Sequence, residues 1–173
     1  MRFVPMTMRD LAMFAEWLRR PHVAEWWTSP ASEDEVRAEY SAEIEGGSTS
    51  SFYIAHVDDV PIGFIQSYVA AGSGDGWWSE ETDPGVRGID QFIADPTRLS
   101  QGLGTQMIKE FTEMLFAEPG VTRIQADPDP RNTRAIRSYG KAGFRPTVVV
   151  ATPDGDALLM ILDRPAPGDV AYR

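Results

Sequence analysis

Apolar residues at Leu11, Phe14, Ala15 and Leu18 recur at i, i+3, i+4 and i+7, with Thr7 and Asp10 before them and Pro21 after. That spacing predicts an amphipathic helix with a defined start and stop. A second helix is predicted from Ser32, whose hydroxyl can cap the amides of Glu33-Asp34-Glu35, to Gly46-Gly47. From Ser51 the period changes to two. Phe52 to Val57 and Ile62 to Tyr68 flank Asp58-Asp59, the pattern of a β-hairpin. Residues 71–84 mix glycines, Trp77-Trp78 and acidic side chains, which predicts a long loop. The remainder alternates: a strand over Val86–Ile93, a glycine loop at Gln101–Gly104, and a helix from Thr105 with Met107, Ile108, Phe111, Met114 and Leu115 on one face. A strand over Val121–Ala126, a turn from Asp127 to Asn132 and a helix over Thr133–Lys141 closed by Gly143 follow. The last predicted hairpin pairs Phe144–Ala151 with Ala157–Leu162 across Pro153-Asp154-Gly155.

Mixed helices and strands over 173 residues define an α/β (α+β) chain of one domain, expected over residues 1–164 with a tail at 165–173. A formal charge of −10 repels phosphate backbones and anionic lipid, so nucleic acid and membrane are excluded as expected partners and a cationic one is favoured. There is no cysteine, and His22 and His56 stand apart. Disulfides, thiolate nucleophiles and metal sites are thus set aside. With no cationic start followed by an apolar run, the expected compartment is the cytoplasm. A monomer is the expected state.

The order strand, glycine loop, helix, strand at the centre carries the first chemical signal. Gly102 and Gly104 let the backbone approach an anion while the amides of the following helical turn point at it, which implies a phosphate-bearing ligand. Those phosphates are expected to meet backbone amides and few basic side chains. Asp90 lies mid-strand in Gly88-Ile89-Asp90-Gln91-Phe92, where a carboxylate costs free energy unless paired, so it is a functional candidate. Asp75, between two glycines, reads equally as a turn former. In Trp26-Trp27 and Trp77-Trp78, adjacent side chains point in different directions, so at least one of each pair should line a site. Tryptophan faces beside carboxylates suit a cationic ligand.

Leu99-Ser-Gln-Gly-Leu-Gly-Thr105 with its helix, and Asn132…Tyr139…Ala142-Gly143-Phe144, resemble the acetyl-CoA site of the GCN5-related N-acetyltransferase (GNAT) superfamily. More narrowly, Trp26-Trp27, Gly72-Ser-Gly-Asp-Gly-Trp-Trp78, Glu81-Thr-Asp-Pro-Gly-Val-Arg-Gly-Ile-Asp-Gln91 and Thr152-Pro-Asp-Gly155 resemble the type Ib group of aminoglycoside 6′-N-acetyltransferases. The resemblance runs from about Met6 to Leu162. It implies a central, mostly antiparallel mixed sheet splayed at the acetyl-CoA site and flanked by helices, and direct transfer of acetyl to an aminoglycoside amine, a resistance activity. In that scheme Asp90 is the general base and Tyr139 protonates the departing thiolate. Gln101, Gly102, Leu103, Gly104, Thr105 and Asn132 hold acetyl-CoA, and Trp26, Trp27, Asp75, Trp77, Trp78, Asp127 and Asp154 hold the aminoglycoside. One departure stands out: the superfamily loop usually carries Gln or Arg three residues before the first glycine, where this chain has Leu99. Acylation of a siderophore-type hydroxylysine amine, or a non-catalytic sensor of acyl-CoA or a cationic ligand, are the alternatives.

Overall fold

The computed structural model describes residues 1–27, 32–47, 49–74 and 76–166. Its strands are β1 (Arg2–Pro5), β2 (Ser51–Val57), β3 (Val60–Val69), β4 (Val86–Ile93), β5 (Arg123–Ala126), β6 (Arg145–Thr152) and β7 (Gly155–Asp163). They form one sheet in the order β1-β2-β3-β4-β5-β7-β6. All neighbours run antiparallel except β4 and β5. The helices are α1 (Leu11–Leu18), α2 (Pro21–Ala24), α3 (Glu33–Ile44), α4 (Leu103–Phe116) and α5 (Thr133–Lys141).

Alternation along the strands sends side chains to two cores. Phe64 and Phe92 join Phe14, Trp17 and Tyr40 under α1 and α3. Ile65, Ile89 and Ile93 join Met107, Ile108 and Phe111 under α4, with Tyr139 of α5 at the margin. The result is three layers, with helices on both faces of the sheet.

Several local signals act as their chemistry requires. Ser32 Oγ accepts from the Glu35 amide at 3.3 Å while the Glu35 carboxylate takes the Ser32 amide at 3.0 Å, a reciprocal cap that starts α3. Asp58 and Asp59 both adopt left-handed backbone (φ 50° and 62°), which turns β2 into β3. Other boundaries differ from the sequence reading. Helix α4 begins at Leu103, two residues early, because Gly102 (φ 86°) is itself the residue before the first turn. Strand β5 begins at Arg123, and Val121 is buried ahead of it. Strand β1 and the single turn α2 lack the length to show a period.

The parallel β4–β5 ladder pairs Val86 with Arg123, Arg87 with Ile124 and Gly88 with Gln125, and ends there. Strand β4 continues to Ile93 and β5 stops at Ala126. From Ile89 onward the β5-facing edge of β4 therefore has no strand partner, and the sheet opens into a cleft.

Candidate active site

Two cavities open into this gap, of about 470 Å³ on the α4–α5 side and about 590 Å³ on the α1–α3 side. Both are lined by Trp26, Trp27, Asp90, Asp127 and Asp129. A group held in one cavity can thus meet a group held in the other beside Asp90 and Asp127.

The two have opposite character. Gly102, Gly104, Thr105 and Asn132 line the first, with Arg98, Arg134, Arg137 and Lys141 around them. Gly102 in left-handed backbone presents the first turn of α4, a fourteen-residue helix, to this space. The four cations correct the expectation of few basic side chains. Three of them sit at i, i+3 and i+7 on α5, a spacing visible in the sequence, and they supply the positive charge that Leu99 does not. Gln101 is turned elsewhere: its amide donates to the Thr97 carbonyl at 2.8 Å and its side chain does not line the cavity. Leu103 packs against the α4 core. Asn132 caps α5 by accepting from the Ala135 amide at 3.1 Å.

The second cavity carries Glu25, Glu39, Glu43, Asp90, Asp127, Asp129, Asp154 and Asp156, with Arg131 as its basic residue. Arg131 is already paired with Asp129 at 2.6 Å. Trp77 lines this cavity, whereas the Trp78 indole donates to the Tyr68 hydroxyl at 3.0 Å. Trp27 leans edge-on against Phe92 and Phe64 at 5.3 and 5.6 Å, anchoring the wall that Trp26 continues. Asp75 lies outside the described residues. Glu39 and Glu43, both on α3, escaped the sequence reading because an acidic helix face looks like an ordinary solvated one, and Glu25 is a single charge just past the end of α2.

Asp90 is half-buried at the junction, and its Oδ2 accepts from Gln66 Nε2 at 2.8 Å across the β3–β4 pair. Burial raises its pKa, with the charge of Asp154 adding and the Gln66 bond opposing. Asp127 is pushed up to about 8, by burial first and then by Asp90 and Asp154. Three carboxylates in one space resist ionising together, so a cationic guest would find its counter-charge there. Gln66 was legible in principle, since it is polar on the strand face that carries Phe64 and Tyr68. Tyr139, 4% exposed, lines the first cavity and its hydroxyl donates to the Ile89 carbonyl at 3.4 Å, on the unpaired edge of β4. Burial and the nearby Asp90 and Asp127 charges hold its pKa well above the ordinary phenol value, so it keeps its proton. No group of histidine, cysteine and carboxylate side chains among the described residues is arranged to hold a metal.

A mixed sheet that splays beside a glycine-led helix, with a cleft lined by cationic side chains on one side, is the architecture of an acetyltransferase. Residues 6–152 match the family described as the acetyltransferase (GNAT) domain, and the chain belongs to it. Within that family it is 50% identical over 164 residues to the aminoglycoside N(6′)-acetyltransferase type 1 of Klebsiella pneumoniae, spanning 93% of this chain and 82% of that protein. It is 51% identical to aminoglycoside acetyltransferase AAC(6′)-Ib solved in complex with coenzyme A and kanamycin, covering 94% of each chain with a TM-score of 0.89. A lysine N-acyltransferase of Mycolicibacterium paratuberculosis is 32% identical over 137 residues, 79% of this chain and 61% of that protein.

Proposed function

We propose that this chain is an acetyl-CoA-dependent aminoglycoside 6′-N-acetyltransferase. The observation that carries the reading is the meeting of a cationic cleft and an acidic cleft at Asp90 and Asp127. The cationic cleft fits a donor that ends in phosphates: the first turn of α4 and the side chains of Arg98, Arg134, Arg137 and Lys141 would hold them, and the donor supplies an acetyl thioester. The acidic cleft fits several ammonium groups at once. This is more charge than one lysine-type amine needs, and it favours the polycationic sugar over the siderophore alternative. A proton acceptor and a proton donor on either side of the open β4 edge favour catalysis over a sensor. Residues 1–164 would suffice as one catalytic domain, and a cytoplasmic monomer would serve, since one chain carries both clefts.

In this scheme Asp90, oriented by Gln66, takes a proton from the acceptor amine directly or through water, which frees the nitrogen lone pair for the thioester carbonyl carbon. Its raised pKa brings it nearer to the proton it must accept. Unpaired backbone groups on β4 hold the carbonyl and its developing charge. Tyr139 gives its proton to sulfur as the carbon–sulfur bond breaks. No covalent enzyme intermediate is required. The test is thiol release from acetyl-CoA across an aminoglycoside panel, with mass spectrometry locating the added acetyl group. Release with none of the panel would refute the proposal, and acetylation at another nitrogen would remove the 6′ assignment alone.

A further inference from the structure

Tyr68 is a half-buried phenol that the transfer chemistry leaves without a task, although it lines the acidic cavity. It stands on β3 two residues beyond Gln66, directly across from Gly88. A Cβ at Gly88 would run into the Tyr68 ring and hydroxyl, so glycine there is what lets the ring lie flat over β4. The hydroxyl is fixed from the other side by Trp78, itself held in left-handed backbone at φ 48°. A tryptophan rarely adopts that conformation, and the surrounding contacts must offset its strain.

The direction of this hydrogen bond matters. An indole N–H can only donate, so the Tyr68 oxygen is the acceptor in the 3.0 Å contact with Trp78. The phenolic proton is left over, and among the described residues it has no acceptor. Burial, followed by the charges of Asp90 and Asp127, lifts the Tyr68 pKa well above the ordinary phenol value, so the proton stays in place across the neutral range. The acidic cavity is rich in acceptors for ammonium groups, and Tyr68 adds to it a neutral donor in a set orientation.

We propose that Tyr68 donates a hydrogen bond to an oxygen of the acceptor substrate, a sugar hydroxyl or ether, with Trp78 and Gly88 positioning it. Carboxylates select for positive charge and would hold any polyamine. A fixed O–H selects for a polyhydroxylated amine, and so contributes to the choice of an amino sugar over a linear polyamine. The inference rests on the reading of this cleft as the aminoglycoside site.

The experiment uses the intact enzyme and its Tyr68→Phe, Trp78→Phe and Gly88→Ala variants, with steady-state kinetics on a parent aminoglycoside and on analogues each lacking one ring hydroxyl. Loss of one neutral hydrogen bond predicts a rise of about 3–10-fold in the aminoglycoside KM for Tyr68→Phe. The KM for acetyl-CoA should stay within about twofold. For one deoxy analogue the wild type and Tyr68→Phe should become equal, because the partner oxygen is gone. A penalty that instead persists undiminished across every deoxy analogue is expected if the partner is a sugar ether, and an analogue with that oxygen replaced by methylene must then abolish it. Trp78→Phe should give a smaller rise, and Gly88→Ala at least the full one. Unchanged aminoglycoside KM in Tyr68→Phe, a parallel rise in both KM values, or a penalty that no single oxygen removes would overturn the proposal. Wild-type enzyme that turns over acetyl-CoA with no aminoglycoside would overturn the reading beneath it, a result separable from the others.

Discussion

Replacing Asp127 by Asn should stabilise the unliganded protein at alkaline pH while weakening the binding of its acceptor. In the folded chain the carboxyl is pushed up to about 8, from an ordinary value of 3.8. Between those limits the native state holds a proton that the unfolded state has released. Stability attributable to this group is therefore present at low pH and is lost as pH rises toward 8, by up to about 1.4 kcal/mol per unit. From pH 5 to pH 8 the ceiling is about 4 kcal/mol. Asp127 shares its space with Asp90 in a cleft open to water, which reduces this to about 2 kcal/mol. For a chain of this size that corresponds to ~4–8 °C in Tm. Asparagine has the same shape and no proton to lose. Thermal unfolding followed by fluorescence from pH 5 to pH 9 should show the advantage of Asp127→Asn over wild type smallest at the acid end and growing toward the alkaline end. Saturating aminoglycoside should reverse the order, since its ammonium groups favour the carboxylate. A variant advantage of the same size at pH 5 and pH 8, or a wild type that is the more stable at pH 8, would refute the reasoning.

Asp90→Asn should lower kcat by about 10²–10⁴-fold with calorimetric affinity for coenzyme A little changed, and near-normal turnover would assign proton removal to another group. Gly104→Ala separates fold from ligand: a Cβ there meets nothing closer than Ser138 Oγ at 3.8 Å, and alanine within α4 is worth about 1 kcal/mol, so Tm should rise while coenzyme A affinity falls at least several-fold. Unchanged coenzyme A affinity in that variant would remove the α4 N-terminus from the donor site. Between 0.05 and 0.5 M salt both KM values should climb, the acceptor's because of the acidic wall and the donor's because of Arg134, Arg137 and Lys141, and a flat response of either would contradict the charge assigned to its cleft.

Much of the framework was legible because it depends on local pattern. The period of 3.6 in α1 and α4, the period of two in β2 and β3, the Ser32 cap and the Asp58-Asp59 turn are properties of a few contiguous residues, and those strands and helices follow from them. Asp90 and the glycine loop stood out for a related reason: a carboxylate inside a strand and paired glycines before a helix each break a local rule that a purely structural segment would obey. The resemblance of the longer motifs then connected these departures to one chemistry. Strand β1, four residues long, exists only because β2 offers an edge to pair with, and nothing within Arg2–Pro5 announces it.

The division of charge belongs to the tertiary structure. A net charge of −10 describes the chain as a whole and conceals a cationic cleft beside an acidic one, because α3 and α5 carry their charges to opposite faces of the sheet. The same is true of the pairings that set the chemistry. Gln66 meets Asp90, Tyr68 meets Gly88, and Tyr139 reaches Ile89 across fifty residues, each through strand register or helix packing. Sequence determines which residues can act as acid, base or donor, since that is a matter of side-chain chemistry. Their distances, burial and shifted pKa values arise only when register and layer packing bring them into one low-dielectric space, and there Asp127 ceases to behave as an ordinary turn aspartate.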